Sequence, residues 1–234
     1  MKTEVCANSY QSAINAQKGG ADRIELCTEL GVGGITPSHG LLKKVMSTLN
    51  IPVNVLIRPR SGNFCYNKAE FDTIKTDIGF CKSLGCAGIV SGVLHPDLTL
   101  NIERTKELIE LARPMTFTFH RAFDCVQNPL KTLQQLIDLG ADTILTSGQE
   151  KTAIKGIDLL NEMKALANGN IMILPGGGIN EKNIGGFKDA GFKEVHFSAT
   201  VAVDNAASPP FFDDQTVLVS DLERIKRMVG LVKS

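Results

Sequence analysis

Four times in this chain a helix-like stretch stops on a glycine and hands over to a β-like run: Gly20-Ala21-Asp22-Arg23-Ile24, Gly85-Cys86-Ala87-Gly88-Ile89, Gly140-Ala141-Asp142-Thr143-Ile144 and Gly191-Phe192-Lys193-Glu194-Val195. A glycine just past a helix takes the left-handed conformation that closes the last turn, so the pattern marks loops that lead from helix to strand. Four more β-like runs lie between these: EVC near the N-terminus, PVNVLIR (52–58), PMTFTFH (114–120) and NIMILPG (170–176). The intervening stretches, such as KAEFDTIKTDIGFCKSLG and NPLKTLQQLIDLG, repeat apolar residues at steps of three and four, as amphipathic helices do. Eight strand–helix units of about 25–30 residues each predict an α/β fold with a parallel sheet closed into a (β/α)8 barrel.

The chain has 234 residues, 43% of them hydrophobic, which is enough for one large core. With no linker or low-complexity tract, residues 1–234 read as one barrel domain. The irregular tract 203–215 is expected to be an extension after strand eight, followed by a helix over roughly 219–230. Twenty-five basic residues balance twenty-five acidic ones, so no bulk field favours nucleic acid or an anionic membrane. No apolar run approaches the roughly 18 residues of a membrane span, and the N-terminus carries no signal-peptide pattern. Six cysteines without a CxxC pair read as reduced thiols. A cytoplasmic protein with a small partner is the expectation.

In such barrels the working groups sit at the C-terminal ends of the strands. MTFTFHRAFD (115–124) alternates as a strand and then delivers His120, Arg121 and Asp124. Other strand ends supply Glu4 and Cys6, Glu25 and Cys27, Arg58 and Arg60, and His196 and Ser198. Gly176, Gly177 and Gly178 follow strand seven, where barrels commonly bind phosphate, and glycines there let backbone amides approach an anion. Period-2 alternation across Pro59 predicts that Arg58 and Arg60 share a side, suited to clamping an anion. The competing reading is an ion pair between Arg58 and Glu25 on the adjacent strand. His120, with Asp124 or Glu25, is the candidate acid–base group, since histidine ordinarily titrates near neutrality. No lysine ends a strand, and no dense His/Asp cluster suggests a zinc hydrolase.

These motifs together, EVC, GGADRIELC, GGITPSHG, PVNVLIRPRSGNFCY, GIVSGVL, TFTFHRAFD, ILTSG, ILPGGGIN and EVHFSA, resemble the CutC family of copper-homeostasis proteins over residues 4 to about 200. The resemblance implies a TIM-barrel fold, a homodimer, and Cu(I) ligands at Cys6 and Cys27. The chain departs from the family pattern at Gly62-Asn63-Phe64-Cys65-Tyr66, Gln149 and Asp97-Leu98-Thr99-Leu100-Asn101, and two of these changes remove carboxylates.

Two functions follow. One is copper homeostasis, with Cu(I) bound by the thiolates of Cys6 and Cys27, since soft thiolates favour Cu(I); the plainer role for both is apolar filling. The other is a metal-independent lyase or isomerase acting on a small anionic or phosphorylated substrate, with His120, Glu25, Arg58 and Asp124 in acid–base work and Gly176, Gly177, Gly178, Ser198 and Arg60 binding the anion. No organic cofactor is implied.

Overall fold

The computed structural model describes residues 1–203 and 217–233. Strands and helices alternate as β1 (Lys2–Ala7), α1 (Tyr10–Lys18), β2 (Arg23–Leu26), α2 (His39–Met46), β3 (Val53–Leu56), α3 (Lys68–Ser83), β4 (Gly88–Ser91) and α4 (Ile102–Ala112). The second half repeats the rhythm with β5 (Thr116–Phe119), α5 (Pro129–Asp138), β6 (Thr143–Thr146), α6 (Ile157–Ala167), β7 (Met172–Pro175), α7 (Ile184–Asp189) and β8 (Glu194–Phe197). A short antiparallel pair, β9 (Thr200–Val203) and β10 (Val217–Ser220), precedes the final helix α8 (Leu222–Lys233). Apart from Val203, the tract expected to be irregular over 203–215 lies outside the described residues.

The four glycines that opened the sequence argument all have positive φ: +83° at Gly20, +73° at Gly85, +77° at Gly140 and +77° at Gly191. Polar caps set the other ends of the helices. Asn67 accepts from the Glu70 amide while the Glu70 side chain returns to the Asn67 amide, a reciprocal box that starts α3. Asn101 and Asn128 cap α4 and α5 in the simpler one-way manner.

The parallel sheet runs β7-β6-β5-β4-β3-β2-β1-β8. Its two ends meet where Gly176, just after β7, bridges to His196 in β8, so the ring closes at a narrow seam. Alternation along each strand splits the apolar residues into two bodies. Ile24, Leu26, Val55, Ile89 and Phe117 join helix residues such as Ile74, Leu108 and Leu136 in the main core, between wall and helices. Each such buried side chain contributes about 1.5–3 kcal/mol. Cys6, Cys27, Leu56 and Val90 form a separate small cluster on the opposite face of the strands, inside the ring.

Leu145 of β6 and Leu174 of β7, outside the main core, face the same interior, and the strands beside the β1–β8 seam add polar groups to it. Glu4, fully buried in β1, accepts hydrogen bonds from Arg23 Nε of β2, from Asn54 Nδ2 of β3 at 3.0 Å and from His196 Nδ1 of β8 at 2.8 Å. Arg23 also reaches Glu194 at 2.6 Å. One carboxylate thus ties four neighbouring strands beside the seam. Burial by itself would raise its pKa, but the His196 hydrogen bond and the Arg23 charge outweigh that and bring it down to about 2.

Because the folded-state pKa of Glu4 is depressed, its contribution is complete above the ordinary carboxylate range and is lost as pH falls toward about 2. Glu4→Gln should therefore cost about 3 kcal/mol at pH 7, by stranding buried positive partners. The gap between variant and wild type should narrow at pH 3. Urea unfolding at both pH values measures this. A loss below about 1 kcal/mol at pH 7 would mean solvent already screens the network.

Candidate metal centre and barrel-mouth cavity

Cys6 ends β1 and Cys27 follows β2, and the parallel register of these neighbours brings their Sγ atoms to 3.6 Å. Both are buried. Cys6 Sγ, a Glu25 carboxylate oxygen and a His196 ring nitrogen lie within 4.8 Å of one another. The hydrogen bond that His196 Nδ1 donates to Glu4 leaves Nε2 as the nitrogen that faces the ligand position. The Cys27 hydrogen bond, burial and the Glu25 charge push the Cys6 thiol well above its usual range. Burial opposes the His196 imidazolium, but hydrogen bonds with Cys6 and Glu4 and the Glu25 charge reverse that and raise its pKa well above the ordinary value. Burial pushes Glu25 up to about 7.

Glu25 and Arg58 are not paired. Arg58 spends its guanidinium on backbone carbonyls: Nη1 donates to Val32 O at 2.8 Å and Gly34 O at 2.9 Å, and Nη2 donates to Gly62 O at 2.8 Å. The Glu25 carboxylate instead meets Cys6 Sγ at 3.7 Å and keeps Oε2 without a hydrogen bond. The reason is the loop between β2 and α2, which folds back through a Thr28–Ile35 bridge and presents its carbonyls to Arg58 before any carboxylate can. That loop covers Cys27. A Cβ on Gly34 would sit 2.7 Å from Leu56 Cδ2 and 3.7 Å from Cys27 Sγ, so at φ +85° only glycine leaves room for the loop to pass this close to the cysteine.

Arg60 departs from the expected shared side. β3 ends at Leu56, strand alternation does not continue through Pro59, and Arg60 turns outward to Glu70 Oε1 and to the carbonyls of Asn63 and Cys65. Its place is the start of α3.

A cavity of about 360 Å³ opens above the thiols, at the C-terminal end of the ring. Cys6, Glu25, Arg58, His120, His196 and Ser198 line it, together with Gly177 and Gly178. Gly176 lies at the β7–β8 seam rather than among the lining residues; a Cβ there would stand 2.5 Å from Leu145 Cδ1. His120 is buried between Phe64 and Phe119, and burial together with the Arg58 charge pulls its pKa down to about 3. It does not titrate near neutrality, and neither Asp124 nor Glu25 pairs with it. Its Nδ1 accepts from the Ala122 amide at 3.2 Å, so the neutral ring carries its proton on Nε2.

Asp124 serves the loop after β6 instead. It accepts from Thr146 Oγ1, from the Ser147 amide at 3.0 Å and from Arg121 Nε at 2.7 Å. Arg121, unassigned by the sequence reading although it stands beside His120, lines the cavity. The sequence signal was its position at a strand end; a choice between Arg58 and Arg121 needed to know which guanidinium the loops consume.

Comparison with known proteins agrees with this barrel. A profile of the CutC family matches residues 1–201. A family protein CutC of Parabacteroides distasonis is 47% identical over 198 residues, covering 84% of this chain and 82% of that protein. The human copper homeostasis protein cutC homolog is 43% identical over 203 residues, covering 86% of this chain and 74% of that one. The solved CutC structure from Streptococcus agalactiae aligns with a TM-score of 0.80 at 32% identity, over 85% of this chain and 98% of that one. A family match that runs through all eight barrel strands identifies the chain as a member of the CutC family of copper-homeostasis proteins.

Proposed function

We propose that the protein binds one Cu(I) ion through Cys6 and Cys27, with His196 as a third ligand. The observation that carries this reading is the 3.6 Å separation of the two Sγ atoms, one of which, Cys6 Sγ, lies within 4.8 Å of a ring nitrogen of an imidazole oriented by Glu4. With metal–sulfur bonds of about 2.3 Å, sulfurs that far apart subtend an angle of about 100°, too bent for a two-ligand linear ion and suited to one with a further donor. Glu4 behind His196 forms the carboxylate–histidine relay that commonly orients a ligating imidazole. Thiolate softness favours Cu(I) over hard cations.

The same reading takes the protein as cytoplasmic, where paired thiols stay reduced, and as a homodimer, the assembly that the family resemblance implies. Among the described residues no helix is long and apolar enough to cross a membrane.

Anaerobic titration of the reduced protein with Cu(I) against a chromogenic chelator should give about one equivalent, and Cys6→Ser or Cys27→Ser should abolish it. Equal uptake by the double serine variant, with its circular dichroism unchanged, would sink the reading. Metal must displace protons from Cys6 and His196, whose pKa values are both raised. The affinity should therefore fall by about tenfold per pH unit lowered for each proton released.

Arg58 holds the covering loop over Cys27. Arg58→Met should accelerate modification of Cys27 by a thiol reagent severalfold in a Cys65→Ser/Cys125→Ser background, where the less buried thiols are silent. An unchanged rate would mean the loop stays closed without the guanidinium.

A further inference from the structure

The rim of the cavity carries donors that the thiol site does not use. Arg121 is fixed in place by Asp124 Oδ2 on Nε at 2.7 Å and by Ser147 Oγ on Nη2 at 2.9 Å. Its Nη1 has no acceptor among the described residues, and a Cβ added to Gly177 would lie 3.4 Å from it, so the guanidinium lies against the Gly177 backbone. Gly177 at φ +107° and Gly178 at φ +69° are successive residues outside ordinary backbone space. The Gly177 amide faces His196 in the Gly176–His196 bridge, whereas the amides of Gly178 and Ser198 donate to no group among the described residues. Unpaired amides from the loops after β7 and β8, beside a cation, form a concave anion site.

A second, independent observation comes from the opposite wall. His120 is buried, its Nδ1 is engaged by Ala122, and its proton-bearing Nε2 has no partner. A buried donor left unpaired costs about 1–3 kcal/mol, so its retention on a cavity wall signals a ligand oxygen to receive it.

We propose that the mouth of the barrel binds a small phosphomonoester, its phosphoryl group on Arg121 Nη1 and the amides of Gly178 and Ser198, and a carbonyl or hydroxyl oxygen directed at His120 Nε2. Donors from two loops and a side chain suit the three terminal oxygens of a phosphoryl group better than the two of a carboxylate. The cavity, at about 360 Å³, has room for a body of a few carbons. Arg58, expected from sequence to clamp the anion, is committed to the covering loop, and Arg121 takes that task.

The site is independent of the thiols, so the test is run on metal-free protein and repeated with Cys6→Ser. Inorganic phosphate, glycerol 3-phosphate and acetate are titrated at constant ionic strength, with amide shifts of Gly178 and Ser198 followed by nuclear magnetic resonance. Saturable shifts at these amides with both phosphates, glycerol 3-phosphate binding more tightly and acetate weakly, are expected. Arg121→Met should weaken glycerol 3-phosphate by about tenfold or more. His120→Phe, which keeps an aromatic ring but removes the Nε2 donor, should weaken glycerol 3-phosphate but leave inorganic phosphate unchanged. Shifts that fail to saturate, acetate binding as tightly as phosphate, or full phosphate affinity in a folded Arg121→Met variant would each overturn the proposal.

Discussion

A single buried carboxylate organises the inside of this barrel. Glu4 cannot remain ionised in a ring of strands without donors on its oxygens, and it receives them from β2, β3 and β8 at once. The residues that satisfy it also fix the closing geometry, because His196 is both its partner and the residue bridged to Gly176 across the seam. The imidazole is thereby held beside Cys6, with one nitrogen spoken for and the other available. The barrel closure and the arrangement of the thiol site depend on the same charge.

The polar interior has a consequence for the mouth. Barrels of this kind commonly fill the ring with branched aliphatic side chains; here a small apolar cluster containing the two cysteines, with Leu145 and Leu174, shares the ring with charged and amide groups. Low dielectric and unequal pairing then spread the titration behaviour apart: Glu4 falls to about 2, Glu25 rises to about 7 and His120 drops to about 3. The differences follow from how many partners each group has. Glu4 has three, Glu25 has only a thiol, and His120 has a backbone amide and a nearby cation.

Two regions with separate supports share the cavity. The thiol floor is roofed by the loop that Arg58 pins through the carbonyls of Val32 and Gly34. The rim is built around Asp124, whose oxygens collect Thr146, Ser147 and Arg121 and so position the Arg121 guanidinium on the cavity wall. Asp124 and Arg58, both plausible direct participants by position, act chiefly on their neighbours.

The sequence determined what depends on local periodicity and chain chirality. Glycines that must adopt left-handed φ after helices, asparagine caps, and apolar steps of three, four or two are properties of neighbouring residues, and from them the eight units, the strand ends and the proximity of Cys6 to Cys27 were legible. It could not determine which partner each strand-end charge takes, because that is a competition among groups far apart in the chain. Arg58 met carbonyls of residues 32, 34 and 62 before it could meet Glu25, Arg60 left the strand geometry at Pro59, and the depressed pKa of His120 arose from burial beside Phe64 and from the Arg58 charge. Loop return paths settle such competitions, and only the tertiary structure contains them.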